Sequence, residues 1–492
     1  MNNSIKFFQK AGIALAFIGG TFMFSGCNSE ELLNPVPLTS ISDASAFATP
    51  ARILNQVNGL YNNLQNGNFY GGRFQVYHDI RGEEFLNETT NGVTGLQTWN
   101  HTLVASTNEV NNLWGQVYFT INNCNLFIEG LEANKAVLGN DALANNYIAE
   151  ARFIRGLCYY SLLTLYSRPF ADGNGAKLGV PLRLKGEKSD GGNDLARATV
   201  AETYAQILTD LNFAETNLPA SYSSALLNTT RAHKNTAIAL KTRIYLSMQR
   251  YADVITEANK LVPNAAPFKA ASGVAHELQA DITKTFAAPH TTTESIFSMP
   301  FVENDLPGTQ NGLGSYYNPG PKGIGDFSLN LTAAGIINNA AFNAGDARKK
   351  MVTVVGTKTY LAKFPLGPQH LDYAPVIRYA EVLLNTAEAI ARTSGVNDRA
   401  IALLNAVRTR SDASKTFTAA DFADTNAFIS ALLLERRMEL LGEGFRSLDC
   451  TRLLLPIPGK ANVATILPTQ PDYIWPIPQS ELIVNKACLP NN

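Results

Sequence analysis

A mainly α-helical fold is what this 492-residue chain predicts, with helical hairpins as its scaffold and a loop-rich insert carrying short strands. Three observations carry that reading. Long stretches repeat apolar residues at gaps of three and four, the period of a buried helix face. Paired stretches are joined by short breaks, as in helix–turn–helix repeats. Strand-like fragments are short and gather in one Gly-, Pro- and Asn-rich region.

The N-terminus reads as an export signal. Lys6 and Lys10 precede "AGIALAFIGGTFMF", an apolar run that ends in small residues and is too short to span a bilayer. Ser25-Gly26-Cys27 resembles a lipobox, with Phe24 where Leu is usual. Residues 1–26 are then a signal peptide and Cys27 is the lipid attachment point, since each buried acyl CH₂ contributes about 0.8 kcal/mol and stable anchoring needs two chains. Residues 27–45, polar and Pro-containing, suit a tether.

From residue 46 to 262 the helical patterns begin. "NNLWGQVYFTINNCNLFIEGLE" puts Leu113, Val117, Ile121, Cys124 and Ile128 on one stripe; "YIAEARFIRGLCYYSLLTLY" does so with Ile148, Ala151, Ile154, Cys158, Leu162 and Leu165. A pair broken near Gln249-Arg250 carries Val254, Ile255, Ala258, Leu261 and Val262 on its second stripe. Another pair, within 376–492, breaks at Ser394-Gly395 and is rich in Ala where helices must approach closely. The period is irregular, so the hairpins are degenerate tetratricopeptide-like repeats inside a larger fold. Between them, 263–375 forms the insert, and loops of this length tend to be functional. "YIWPIPQSELIVNKACLPNN" closes the chain with X-Pro bonds that interrupt any helix.

Forty basic against 41 acidic side chains argue against a nucleic-acid partner, which needs clustered Lys and Arg. Cys124, Cys158, Cys450 and Cys488 are far apart and lack a C-x-x-C, so zinc and redox motifs are not indicated; buried thiols are the leading reading and a disulfide stays open. The six histidines never fall at helical metal spacing, and no phosphate loop, G-x-S-x-G or H-E-x-x-H occurs.

Several segments, in order, resemble the SusD/RagB family of outer-membrane nutrient-uptake lipoproteins. "EARFIRGLCYYSLLTLY" matches through Glu150, Arg152 and Arg155; "RYAEVLLNTAEAIARTSG" and "ALLNAVRTR" through Glu381, Glu388, Asn405, Arg408 and Arg410. The most specific piece, "LLLERRMELLGEGFRSLDCTRL", matches through Glu435, Arg436, Arg437, Glu439, Glu443, Gly444, Arg446, Asp449 and Arg452, and "WPIPQSEL" resembles the family's closure. Glu30 and Glu31 resemble the acidic run of surface-exported Bacteroidota lipoproteins. The resemblance covers nearly the whole chain. It implies a SusD-like helical scaffold, an outer-membrane location, and a SusC-like TonB-dependent transporter as partner, over whose mouth the lipoprotein sits.

The acids of "ERRMELLGEGFRSLD" all have Arg close by, which opposes the raised pKa a general acid needs, so the cluster reads as a structural ion-pair network and no catalytic residue is assigned. Binding remains. Sugar rings stack their C–H faces on aromatics while their hydroxyls seek Asn, Asp or Arg. Candidates are therefore aromatics in polar loops: Tyr70, Tyr77, His78, Asp79 and Arg81; Trp99 and Asn100; Tyr316, Tyr317 and Asn318. Trp99 and the Tyr316-Tyr317 pair lead, while Trp114 and Trp475 read as core. The expected activity is capture of a glycan without bond cleavage. A peptide ligand, a glycan hydrolase with carboxylates about 5–10 Å apart, and a structural lid are the alternatives. No cofactor or metal is expected; a Ca²⁺ ion is left open.

Overall fold

Helix 50–65 starts where Thr49 accepts a hydrogen bond from the Arg52 amide and Pro50 occupies the first turn. The computed structural model describes residues 43–189 and 191–491. The expected signal peptide, Cys27 and most of the expected tether lie outside the described residues.

The first half holds α1 (Asp43–Ala46), α2 (Pro50–Gln65), α3 (Arg73–Ile80), β1 (Phe85–Asn87), α4 (Leu96–Asn100), α5 (Asn108–Ala133) and α6 (Asp141–Tyr166). Then come β2 (Leu178–Pro181), β3 (Arg197–Thr199), α7 (Val200–Asn217), α8 (Ala225–Thr230), α9 (Lys234–Ser247) and α10 (Tyr251–Ala258). The insert carries β4 (Ser295–Met299), α11 (Leu313–Tyr317), β5 (Phe327–Leu329), β6 (Val352–Val355), β7 (Lys358–Leu361) and β8 (Ala374–Arg378). The chain finishes with α12 (Tyr379–Ser394), α13 (Asp398–Ser411), α14 (Thr425–Glu439), α15 (Arg446–Arg452) and α16 (Gln479–Val484).

The helices stack in sequence. α5 packs on α6, α6 on α7, α7 on α9, α9 on α10, and α10 on α12, which pairs with α13. The turns sit where the sequence breaks: Gln249 has φ +56° and Gly395 φ +75°. The stripes predicted for α5 and α6 are buried, and α6 is buried all round from Phe153 to Leu163, which is why its periodicity is weak.

Among the described residues, four two-stranded antiparallel sheets surround this stack. β4 pairs with β8 and so ties the start of the insert to the entry of α12. β1 pairs with β5, Phe85 opposite Leu329 and Asn87 opposite Phe327, which fastens the insert to the N-terminal half. The apolar core runs without interruption from Ile53 to Cys488, with a small satellite around Cys450, Ile457 and Tyr473. The four cysteines among the described residues are free and buried, and burial pushes the Cys450 and Cys488 thiols up to about 11. No described helix is long and apolar enough to cross a membrane.

One helical position runs against propensity. Gly59 lies inside α2, and a Cβ built there meets nothing within 4 Å. Gly59→Ala should therefore stabilise the protein by about 0.5–1 kcal/mol through the unfolded chain's entropy. Thermal unfolding of the variant checks this; a lower melting temperature would contradict it.

Candidate ligand-binding site

The structure brings the predicted loop residues together from both halves of the chain, but as an underlayer beneath the surface. α4 is held in place by Glu109 of α5, whose carboxylate accepts from the Gln97 and Thr98 amides at 3.1 and 3.0 Å. That turns Trp99 inward, where its Nε1 donates to the Phe85 carbonyl at 2.9 Å and Lys460 Nζ sits 5.4 Å from the ring centroid. Tyr317 stacks on Phe85 at 4.8 Å and donates to Asp79 Oδ2 at 3.3 Å. Asp79 also accepts from the Gly444 amide at 2.9 Å. Gly444 has φ +85°, and a Cβ there would come within 2.7 Å of the Gln75 backbone, so this close approach requires glycine.

The remaining candidates are placed likewise. Tyr70 meets Ser161 Oγ at 3.0 Å, and Tyr77 packs on Trp475 at 5.2 Å. Arg81 Nη2 donates to the Tyr473 carbonyl at 3.1 Å, and Asn318 Nδ2 to that of Phe364 at 2.6 Å. His78 sits between Ser447 and Thr164, its imidazole pushed down to about 3 by burial. This corrects the expectation for Trp99, Tyr316, Tyr317, Tyr70, Tyr77, His78, Asp79, Arg81 and Asn318: each is at least nine-tenths buried and offers no open face to a sugar. The physical reason is that an aromatic side chain carries 150–250 Å² of surface, and a loop dense in them folds onto it. Asn100 alone is half-buried. Trp114 and Trp475 are core, as read, through ring contacts with Tyr166 at 4.9 and 5.6 Å.

Sequence reasoning missed the residues that make this seam chemically unusual. Buried polar groups normally find partners. Here Asp326, 2% exposed, has no charged partner, and only the Thr94 hydroxyl stands against its carboxylate, outside good hydrogen-bond geometry. Asn311 Oδ1 and Asn87 Oδ1 are also unpartnered, and the Tyr316 hydroxyl and Arg73 Nε have no well-formed hydrogen bond beyond the approach of Arg73 to Tyr316. They belong to one neighbourhood. Tyr316 stacks on Phe327 at 6.2 Å, Phe327 opposes Asn87, and Arg73 lies against Tyr316. Burial pushes the Asp326 carboxyl up to about 6, with Thr94 pulling the other way, and raises the Tyr316 hydroxyl to about 12 so that it keeps its proton. Loop 88–95 approaches the seam through Thr94, while Gly92 and Val93 remain exposed. No sequence signal marks Asp326, because "GIGDFSLN" reads as an ordinary turn and strand start. The arrangement can accept and donate hydrogen bonds to a ligand rich in hydroxyls.

The signature acids are occupied otherwise. Arg378 contacts Glu294 and bonds Glu443 at 2.6 and 2.8 Å and Glu439 at 3.1 Å; Lys363 adds a 2.7 Å bond to Glu443, and Arg410 a 2.6 Å bond to Glu439. Arg348 and Arg408 meet on Glu435 at 2.6 and 3.2 Å. Arg452 bridges Glu388 and Asp449, which also takes Arg436. Glu83 and Glu84 hold Arg437 and Arg446. Arg155 pairs with Asp210, Glu150 with Arg231 and Glu381 with Arg243, while Arg152 lies on the Phe213 ring at 4.1 Å, outside any ion pair among the described residues. Although burial pushes both carboxyls up, Arg378 and Lys363 hold Glu443 below its usual range, and Arg436 and Arg452 bring Asp449 down to about 2. Glu443 and Asp449 therefore stay ionised at neutral pH and are not poised as general acids. Among the described residues, no three His, Cys, Asp or Glu side chains are grouped to hold a metal.

With this geometry in view, comparison with known proteins is informative. The model of SusD-like proteins described as starch-binding and associating with the outer membrane matches residues 38–246, and that of the SusD family matches 349–492. SusD-like protein P25 of Formosa agariphila is 24% identical, over 95% of this chain and 96% of its own. A crystal structure of a SusD superfamily protein from Bacteroides fragilis superposes with TM-score 0.81 and 32% identity, covering 91% of this chain and all of that one. A laminarin-binding SusD-like protein shares the fold at TM-score 0.71 and 19% identity, over 90% of this chain and 99% of its own. The matches cover the helical stack, the signature network and the closure alike, and the chain belongs to the SusD family.

Proposed function

We propose that this protein captures a glycan at the outer membrane, tethered through lipid on Cys27, and delivers it to a SusC-like TonB-dependent transporter. The observation that carries the reading is the seam of poorly satisfied buried polar atoms at Asp326, Tyr316 and Arg73, where the insert meets the N-terminal loops and only Thr94 stands against Asp326. A sugar hydroxyl both donates and accepts, so one ring can serve Asp326, Tyr316 and Arg73 together. Loop 88–95 is the cover through which a ligand reaches them. The mechanism is binding without bond cleavage: the signature carboxylates are neutralised by Arg and Lys, and energy enters only through the transporter. The family's outer-membrane association and the lipobox support the location.

A peptide ligand is the second reading, favoured by β6. That strand pairs only with β7 among the described residues, and its Val354 and Val355 are exposed, leaving an edge on which an extended peptide can pair.

Isothermal titration of the soluble chain from Asn28 against an oligosaccharide panel and a peptide digest tests both. Saturable glycan binding weakened by Tyr316→Phe supports the proposal. Binding only to peptides transfers it to the β6 edge, and wild-type affinity in Tyr316→Phe removes the seam. Trp99→Ala is unsuitable as a probe, because truncating a buried Trp costs about 3–5 kcal/mol and confounds binding with folding.

A further inference from the structure

A second concavity lies on the helical side of the molecule and shares no lining residue with the seam. A groove of about 590 Å³ runs between α2 and the C-terminal half of α5, lined by Phe47, Gln56, Gly59, Asn62 and Asn123, with the exposed Glu129 and Lys188 also on its wall. Its walls have an unusual chemistry. Solvent faces of helices ordinarily carry Lys, Glu and Arg, which are good helix formers. α2 instead exposes Asn55, Asn58, Gly59 and Asn62 and has one charged residue, Arg52, while α5 has none from Val110 to Ile128. Asn and Gly are poor helix formers.

The fold does not use these side chains. The amides of Gln56, Asn62 and Asn123 make no hydrogen bond among the described residues, and the space beside Gly59 is empty out to 4 Å. A neutral amide presents a donor and an acceptor without charge. One turn before Asn123 on the same face of α5 stands Phe119, 56% exposed and the only exposed aromatic among the described residues. At the other end, Phe47 is half-buried against Phe127 at 6.0 Å. Phe119 to Gly130 spans about 16 Å along the helix, at 1.5 Å per residue.

We infer that this groove is a separate binding site for an uncharged oligosaccharide, with Phe119 as stacking face and Gln56, Asn62 and Asn123 as hydroxyl partners. The choice of ligand class rests on the glycan-capture reading; the site itself rests on the amide walls, the open ring and the vacant floor. Glu129 and Lys188, the two charged residues that line the groove, are of opposite sign and leave it without a net positive charge to favour an acidic glycan.

The test is titration of the soluble chain from Asn28 with neutral oligosaccharides of six or more units, and with polygalacturonate as the charged comparator. Phe119→Ala, the Asn62→Ala/Asn123→Ala pair and Gly59→Leu are compared with the seam variant Tyr316→Phe, each with its melting temperature. The expected result is a tenfold or greater loss of neutral-glycan affinity in the groove variants, persisting when Tyr316 is also replaced. Gly59→Leu should lose affinity without losing stability, which a structural role would not produce. Groove variants that bind like wild type, while Tyr316→Phe abolishes binding, overturn the groove and leave the capture reading standing. A wild-type chain that binds no glycan overturns that reading and the ligand class together. Groove variants with full glycan affinity that lose a protein partner also overturn the inference.

Discussion

Arg378→Met should be the most damaging substitution in this protein, costing about 3–5 kcal/mol of folding free energy. Arg378 stands at the end of β8 and faces Glu294, Glu439 and Glu443, all of them buried. A Met of similar length keeps the volume but leaves the carboxylates short of positive charge. Lys363 still reaches Glu443 and Arg410 still reaches Glu294 and Glu439, so the loss stops short of three bare charges. Denaturant midpoints measure it, and a cost below about 1 kcal/mol would show that the neighbouring cations suffice. Adding Glu443→Gln to Arg378→Met should recover part of the loss, since the double variant removes one of the stranded charges. The same network sets the acid limit. Asp449 has a folded pKa of about 2, below the ordinary value near 3.9, so its stabilisation is complete above about pH 4 and is lost as pH falls towards 2. Acid unfolding should begin in that window, and Asp449→Asn should flatten it.

Asp326→Asn should act in the opposite sense on stability and abolish most binding. The folded carboxyl titrates near 6, above its unfolded value, so the native state holds the proton more tightly. Its contribution is fully present below about pH 4 and is lost as pH rises through 6. Above that, the protein carries a buried charge with no cation beside it and only the Thr94 hydroxyl against it. Asn removes the charge, so the variant should melt higher than wild type at pH 8, with the gap closing towards pH 4. A hydrogen bond from a ligand hydroxyl to a carboxylate contributes about 1.5–3 kcal/mol, so glycan affinity should fall about 10- to 100-fold. Wild-type affinity should itself weaken on acidification through 6. A variant that is no more stable than wild type at pH 8, or that binds normally, would remove Asp326 from the site.

The helical stack was legible in sequence because its signals are local. Breaks at Gln249-Arg250 and Ser394-Gly395 coincide with positive φ values, and the stripes of α5 and α6 face the core. The Arg-rich signature was legible as ion pairs because Arg and carboxylate side chains are interleaved within one short stretch. Its long-range partners were not. Glu294 and Lys363 come from the insert, and nothing in "TTESIFSMP" or "YLAKFPLG" announces a salt bridge with residues 439 and 443.

The site was read less well, and the reason is physical. Aromatic residues in polar loops satisfy two incompatible descriptions, a sugar platform and a loop's own core, and only the direction each side chain takes separates them. Glu109 anchoring α4 turned Trp99 inward, and the Gly444–Asp79 contact drew Tyr317 down with it. Conversely, Asp326 has no local mark; its burial without a charged partner appears only when β5 pairs with β1. The sequence by itself determined the family, the helical hairpins and the ionised network, since propensity, periodicity and charge adjacency are properties of neighbouring residues. Tertiary structure alone decided which polar atoms stay without partners and which ring, Phe119, remains open, because solvation depends on what the distant chain covers.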